Sequence, residues 1–184
     1  MTKEDTPPFN FGGGEKHVQQ WRAFEVGGAI YDCSHLDAHV VNYTNPENND
    51  TYCFYVTYSH HCFCKTDEVL VLDDVWIYPY KKDPRHFHPV RYELSKLLPG
   101  IIESLPTSHT VHAGYDSYAI AEAKMNGVVT CYFVVFTVFR SNKKFRLHVQ
   151  SAYPLDHRPK MKKVGFFNIA KALKAGKPLP GPQK

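Results

Sequence analysis

Hydrophobic and polar residues alternate over much of the chain with a period of two, which is typical of half-buried β-strands. The segment "AFEVGGAIYDCSHL" has this alternation around a Gly-Gly pair, which predicts a strand, a turn and a second strand near Ile30–Val41. "TYCFYVTYSHHCF" consists mainly of β-branched and aromatic residues, so it predicts a central strand over Thr51–Phe63. The first half of the chain is therefore expected to be rich in strands.

Helical spacing of apolar residues appears later, in "VRYELSKLLPGIIESLP", where Pro99 and Gly100 are expected to break or kink the helix. Downstream, Asn126-Gly127 and Ser141-Asn142 predict turn tips between antiparallel strands, and a short amphipathic helix is predicted at Phe166–Lys174. Together these elements predict an α+β fold, a twisted antiparallel sheet (a meander) packed against one or two helices.

The length of 184 residues and a hydrophobic share of 43% predict one folded domain. We expect a flexible N-terminal lead-in at residues 1–20, a single α+β domain at residues 21–175 and a disordered Gly/Pro tail at residues 176–184. The longest apolar run, Cys131–Phe136, is far shorter than a membrane span, and the first residues do not resemble a secretory signal. Five cysteines, an odd number, favour reduced thiols and a cytoplasmic location.

Charge is distributed unevenly along the chain. Residues 1–100 contain 9 Lys/Arg against 14 Asp/Glu, whereas residues 101–184 contain 13 against 4. A basic half attracts phosphate backbones through the release of counterions. The residues expected to attract RNA in this way are Arg140, Lys143, Lys144 and Arg146. A solvated basic face without a partner is an equally good explanation of the charge.

Two clusters of histidine and cysteine, "CSHLDAH" and "SHHCFC", are candidates for metal binding or proton transfer. If both segments were regular strands, Cys33 and His35 would share one face, and Cys62 and Cys64 another. A zinc-stabilised domain built from these four residues is one hypothesis. The C-x-H and H-x-C spacings on strands do not provide the usual wrap around zinc, and no motif indicates a cofactor.

Proton transfer requires less of the sequence, because histidine titrates near neutrality and serves as base or acid. Our first hypothesis is a metal-independent RNA-cleaving domain in which His35 and His61 act as general acid and base. Arg91, near a helix start, would hold the scissile phosphate, and Ser151 and Tyr153 at the end of a strand would orient the substrate.

Four segments together resemble an uncharacterised bacterial family whose members are sometimes labelled stationary-phase growth adaptation proteins. They are "YVTYSHHCFC", "RHFHPVRYELSKLLPGIIESL", "CYFVVFTVF" and "LHVQSAYPLD". This resemblance implies no catalytic residues. The order of a helix followed by a meander is also loosely similar to ribonuclease toxins of the RelE and barnase type, which cleave RNA without a metal. That similarity implies a hydrolase or nuclease function for the chain.

An alternative hypothesis is a non-enzymatic module that binds nucleic acid, or a protein partner or inhibitor, through its basic C-terminal face. The sequence indicates no membrane partner and leaves the oligomeric state open.

Overall fold

The computed structural model has the α+β architecture that the sequence predicts. It describes residues 18–66, 74–80, 83–114, 117–120, 123–125, 128–157 and 160–181. Among these residues, no helix is both long and apolar enough to cross a membrane.

Short strands predominate in the described part of the chain. The strands are β1 (Phe24–Val26), β2 (Ala29–Tyr31), β3 (His39–Thr44), β4 (Thr51–Tyr58), β5 (Cys64–Lys65), β6 (Ile77–Tyr78), β7 (Arg85–Phe87), β8 (Thr110–Gly114), β9 (Ser117–Ile120), β10 (Ala123–Met125), β11 (Val128–Thr130), β12 (Tyr132–Ser141) and β13 (Lys144–Pro154). The α-helices are α1 (Pro89–Ser95), α2 (Leu98–Glu103) and α3 (Phe166–Ala175).

A six-stranded sheet with the order β3-β4-β13-β12-β9-β8 forms the centre of the molecule. The predicted antiparallel meander is confirmed for β8, β9, β12 and β13, with the small β10–β11 hairpin inserted before β12. The pairing of β4 with β13 is parallel, and it joins the N-terminal strands to the meander. A separate sheet with the order β5-β7-β6 stands beside the central one.

The hairpin between β12 and β13 turns at Asn142 and Lys143, which have φ angles of +51° and +61°. Positive φ at both central residues is the requirement of the two-residue turns that match the twist of a hairpin. The predicted turn at Ser141-Asn142 is therefore confirmed to within one residue. The other predicted turn, Asn126-Gly127, lies outside the described residues.

One face of the central sheet carries the main hydrophobic core. Tyr52, Phe54 and Val56 alternate inward from β4 and are fully buried. Phe166 of α3 packs on this face, with its ring 5.7 Å from that of Phe54. The hydroxyl of Tyr43 donates to the carbonyl of Ile102 in α2 at 2.6 Å. Each buried aromatic or aliphatic side chain contributes about 1.5–3 kcal/mol, so this face holds the helices in place.

The predicted long helix is two helices, and the break precedes the Pro-Gly pair rather than falling on it. The first helix ends at Ser95, the second begins at Leu98, and Pro99 lies in the first turn of α2. Proline is well tolerated there because the N–H it lacks would have no intrahelical partner. Its fixed φ thus starts the second helix. The predicted C-terminal helix is confirmed, ending one residue later than expected.

The predicted disordered tail, residues 176–184, extends beyond the described residues. Within the described part, Leu179 packs against the main core, and the carbonyl of Pro180 accepts a hydrogen bond from the Tyr118 hydroxyl at 2.7 Å. Leu179 and Pro180 therefore pack against the folded domain. The predicted N-terminal lead-in falls almost entirely outside the described residues.

Candidate active site

The strand predicted over Thr51–Phe63 ends at Tyr58, and a 3-10 turn at His60–Cys62 follows it. The side chain of Ser59 starts the turn by accepting the His61 amide at 3.2 Å. The Ser59 amide in turn donates to the carbonyl of Val149 in β13 at 2.9 Å. His60 and His61 consequently lie side by side on a tight turn, with ring centroids 4.5 Å apart, and not on opposite faces of a strand.

Asp83, just before β7, is the residue around which this site is built. Its Oδ2 atom accepts hydrogen bonds from His61 Nε2 at 2.7 Å and from Arg85 Nε at 2.8 Å. Its backbone carbonyl accepts one from His60 Nε2 at 2.9 Å. These contacts fix both imidazoles and the guanidinium relative to a single carboxylate.

The charges of this group follow from its contacts. Hydrogen bonds from His61 and then from Arg85 lower the pKa of the Asp83 carboxyl to about 2, so it is ionised at neutral pH. Burial, followed by the neighbouring His61, lowers the pKa of His60 to about 4, and His60 is therefore neutral there. His60 is 4% exposed, whereas the side chain of His61 is 32% exposed and open to solvent.

The hydrogen bonds also define the tautomers. An ionised carboxylate and a backbone carbonyl only accept, so the Nε2 atoms of His61 and His60 must both carry protons. In neutral His61 the basic nitrogen is then Nδ1. An aspartate that fixes the tautomer and orientation of a partly exposed histidine is the arrangement of a general base.

His60, His61 and Asp83 are also of metal-ligating types, and one ligand atom of each lies within 4.8 Å of the other two. Asp83 Oδ2, however, already accepts hydrogen bonds from both His61 and Arg85. A cation bound through Oδ2 and His61 Nε2 would have to displace the Arg85 guanidinium and the His61 proton. We therefore interpret the group as a hydrogen-bonded acid–base site.

Arg91 stabilises the histidine turn from α1. Its Nη1 atom donates to the carbonyls of His61 at 3.2 Å and Cys64 at 2.9 Å, and its guanidinium lies 5.6 Å from the ring centre of Tyr153. The His88 side chain, at the helix start, accepts the Arg91 amide at 3.3 Å. Arg91 thus joins the turn to the end of β13.

Most of the chain is similar in sequence to known proteins. The model of the YjaZ family matches residues 23–174. The chain belongs to that family. Protein YjaZ of Escherichia coli (strain K12) is 42% identical over 178 residues, covering 92% of this chain and 99% of the relative. No solved structure matches significantly. The resemblance to a bacterial family is confirmed, whereas neither the stationary-phase label nor the similarity to ribonuclease toxins of the RelE and barnase type is supported by these matches. The family description and the relative's name state no activity.

In this YjaZ-family chain, the predicted catalytic residues fall into two places. Through the contacts above, His61, Arg91 and Tyr153 lie together, and Ser151 precedes Tyr153 by two residues on the same strand. His35 lies elsewhere, because its Nε2 atom is bonded to Ser95 Oγ at 2.8 Å. The same hydroxyl donates to the Tyr92 carbonyl at 2.7 Å, so His35 is tied to α1. No described contact brings the His35 ring to the His61 ring.

The alternative zinc set, Cys33, His35, Cys62 and Cys64, is not the group that the structure brings together among the described residues. The segment Ser34–Leu36 is a 3-10 turn, so the predicted shared strand face does not exist. Burial raises the pKa of the Cys33 and Cys62 thiols to about 12, which is characteristic of inert core cysteines. All three of these cysteines are fully buried.

The predicted RNA-attracting residues differ in exposure. Arg140 and Lys143 are exposed near the tip of the β12–β13 hairpin, and Lys144 is half-buried. Arg146 is only 1% exposed, so unlike Arg140 and Lys143 it is not at the surface. Its guanidinium carbon lies 4.8 Å from the ring centre of Tyr55, and Lys144 Nζ lies 4.6 Å from the same centre. Arg146 therefore has a packing role within the sheet.

Sequence reasoning missed Asp83, Arg85 and His60. The segment "KKDPRHFHP" had only the signature of a polar connection. Asp83 lies 22 residues from His61, and nothing in the local pattern of either segment encodes the pairing. The only available signal was the density of charged and histidine residues on both sides of the helix start.

Proposed function

We propose that the protein is a metal-independent endoribonuclease in which His61, oriented by Asp83, is the general base. The observation that carries this proposal is the 2.7 Å hydrogen bond from His61 Nε2 to the ionised Asp83 carboxylate, with the His61 side chain 32% exposed. This arrangement leaves Nδ1 as the basic nitrogen of an imidazole that is partly accessible to solvent. The basic C-terminal half supports RNA as that substrate.

In the proposed reaction, His61 Nδ1 removes the proton from a ribose 2′-hydroxyl. The 2′-oxygen forms a bond to the adjacent phosphorus, and the bond from phosphorus to the 5′-oxygen breaks. Solvent protonates the departing 5′-oxygen, because no described contact places His35 at this site. The products are a 2′,3′-cyclic phosphate and a 5′-hydroxyl end, and water restores neutral His61.

Neighbouring residues have supporting roles in this proposal. Arg85 donates to the same Asp83 oxygen as His61, and Arg91 donates to the His61 carbonyl, so both bring positive charge to the site. Charge of this kind stabilises the phosphorane-like transition state. Ser151 and Tyr153 are half-buried at the end of β13, beside Arg91, where they are suited to orient the substrate. Arg140 and Lys143 increase the rate of encounter with RNA from a distance.

The test is cleavage of a labelled single-stranded RNA, with the same strand carrying 2′-O-methyl groups as a control substrate. We expect cyclic-phosphate products from the RNA alone. His61→Gln is expected to lower the rate about 10²- to 10⁴-fold, the usual contribution of a general base. His109→Gln, at an exposed histidine outside the site, is the matched control and should cleave normally. Intact RNA with the wild-type protein, or equal rates for the two variants, would refute the proposal.

A second candidate function is a nucleic-acid-binding module without turnover. It is favoured by the exposed Arg140 and Lys143 at the hairpin tip, beside a Lys144–Tyr55 cation–π contact. This function predicts binding whose logarithm falls linearly with the logarithm of salt concentration, with a slope set by the phosphates contacted. Arg140→Gln with Lys143→Gln would reduce that slope by about two if each residue contacts one phosphate.

A further inference from the structure

A small aromatic cavity lies next to the histidine site. Its volume is about 170 Å³, and its walls are the side chains of Trp21, Tyr78 and Tyr80, with Gln20 and Arg22 also lining it. The Trp21 ring centre lies 6.1 Å from both tyrosine ring centres, at interplanar angles of 56° and 53°. We call this cavity the Trp21 pocket.

The Trp21 pocket shares a wall with the proposed catalytic group. Tyr80 lies 4.6 Å from His60 between ring centres, and His60 lies 4.5 Å from His61. Trp21 itself is 6.4 Å from the His60 ring. Two walls of the pocket therefore pack against His60, the residue next to the general base.

The walls are held in place by contacts that need no ligand. The Trp21 amide donates to Asp37 Oδ1 at 2.7 Å, and the Tyr78 hydroxyl donates to the Arg22 carbonyl at 2.9 Å. Phe63 packs edge-on against Trp21 at 5.3 Å. Among the described residues the buried Trp21 Nε1 atom has no hydrogen-bond acceptor, although buried indole N–H groups usually find one.

Size and chemistry together restrict what the pocket accommodates. A cavity of about 150 Å³ takes up one benzene ring, whereas drug-sized ligands need about 300–1,000 Å³. The Trp21 pocket therefore fits one planar ring, and its aromatic walls are of the type on which nucleobases stack. The amide of Gln20 and the guanidinium of Arg22 provide donors for the polar edge of such a ring.

We propose that the Trp21 pocket holds one base of the RNA, preferentially a single-ring pyrimidine, beside the bond that is cleaved. This inference rests on the proposed function and adds its substrate class. Tyr80 is the residue that links the two sites, since it contacts both the pocket and His60.

The pocket can be tested by tryptophan fluorescence, without measuring cleavage. The chain has two tryptophans, so Trp76→Phe leaves Trp21 as the single reporter. Titrations would use uridine 5′-monophosphate, adenosine 5′-monophosphate and ribose 5-phosphate, the last being identical to the nucleotides but for the base. We expect quenching by uridine monophosphate, weaker binding of adenosine monophosphate, and no quenching by ribose phosphate.

In the same background, Tyr80→Ala should weaken binding of uridine monophosphate about 10- to 100-fold, the range that loss of one stacking partner gives. Tyr80→Phe keeps the ring and should bind as before, which separates stacking from misfolding. Equal affinity for uridine monophosphate and ribose phosphate would overturn the pocket, and tighter binding of adenosine monophosphate would overturn its pyrimidine assignment. Cleavage without base binding would refute only this inference, and base binding without cleavage only the proposed reaction.

Discussion

Protonation of His60 should destabilise the fold in mild acid. Burial lowers the pKa of His60 from 6.5 to about 4, because a charged imidazole is poorly solvated between Trp21 and Tyr80. A base whose pKa is lower in the folded state contributes its full stability above the unfolded pKa. That contribution is lost as the pH falls from about 6.5 toward about 4.

The size of the effect follows from the two pKa values. Between about pH 7.5 and about pH 5, the unfolded chain takes up nearly a full proton at this residue while the folded chain takes up almost none. With 1.36 kcal/mol per pKa unit, the free energy of unfolding should fall by about 2 kcal/mol over that interval. This is a large share of the total stability of a typical domain.

Urea denaturation at both pH values measures this fall, and His60→Gln provides the control. Glutamine keeps an N–H donor for the Asp83 carbonyl and has no titrating group. Because the two proteins differ at this residue alone, the relevant quantity is the wild-type loss minus the variant loss. A difference near zero would show that folding does not lower the pKa of His60, and the argument from its burial would be wrong.

Three further predictions follow from contacts elsewhere. Arg91→Gln removes a charged donor from two carbonyls and should lower the free energy of unfolding by about 2–4 kcal/mol in urea titrations. A loss below about 0.5 kcal/mol would contradict the role of Arg91 in stabilising the histidine turn. Lys143 has a positive φ, which strains a residue with a Cβ atom, so Lys143→Gly should raise the melting temperature by about 2–4 °C. An unchanged or lower melting temperature would show that the turn is not strained at this residue. A thiol reagent should modify exposed Cys53 first and buried Cys62 only on unfolding. Cys53→Ser should therefore remove the fastest phase of the modification reaction. If that phase persisted, the assignment of Cys53 as the most reactive thiol would be wrong.

Most of the fold was readable from local patterns. The β12–β13 hairpin has ten- and eleven-residue strands with alternating burial around a turn residue that tolerates positive φ, so periodicity and turn chemistry agree. The amphipathic helix at Phe166 was predicted for the same reason. The helix boundaries were wrong where the same residue type is compatible with two local structures. Pro99 was expected to interrupt a helix and instead begins one, because its effect depends on which turn it occupies.

The candidate site was only half predictable. His61 was selected for its chemistry and Arg91 for its position at a helix start, and both lie at the site. Asp83 was not found, because its hydrogen bond with His61 joins two residues that are 22 positions apart in the chain. The strand predicted through His60 and His61 ends early, because the Ser59 side chain accepts the His61 amide and starts a turn directly after the last bond of the β4–β13 ladder.

The parallel pairing of β4 with β13 has a consequence for the order of events during synthesis. The histidine turn is anchored to Val149 by the Ser59 amide and by Cys62, which lies 87 positions earlier in the chain. At about 5–20 residues per second, Val149 is added about 4–17 s after Cys62. Throughout that interval a nascent chain carries His60, His61 and finally Asp83 without the strand that aligns them. A chain truncated before β13 would therefore contain every residue of the acid–base group and still lack the site.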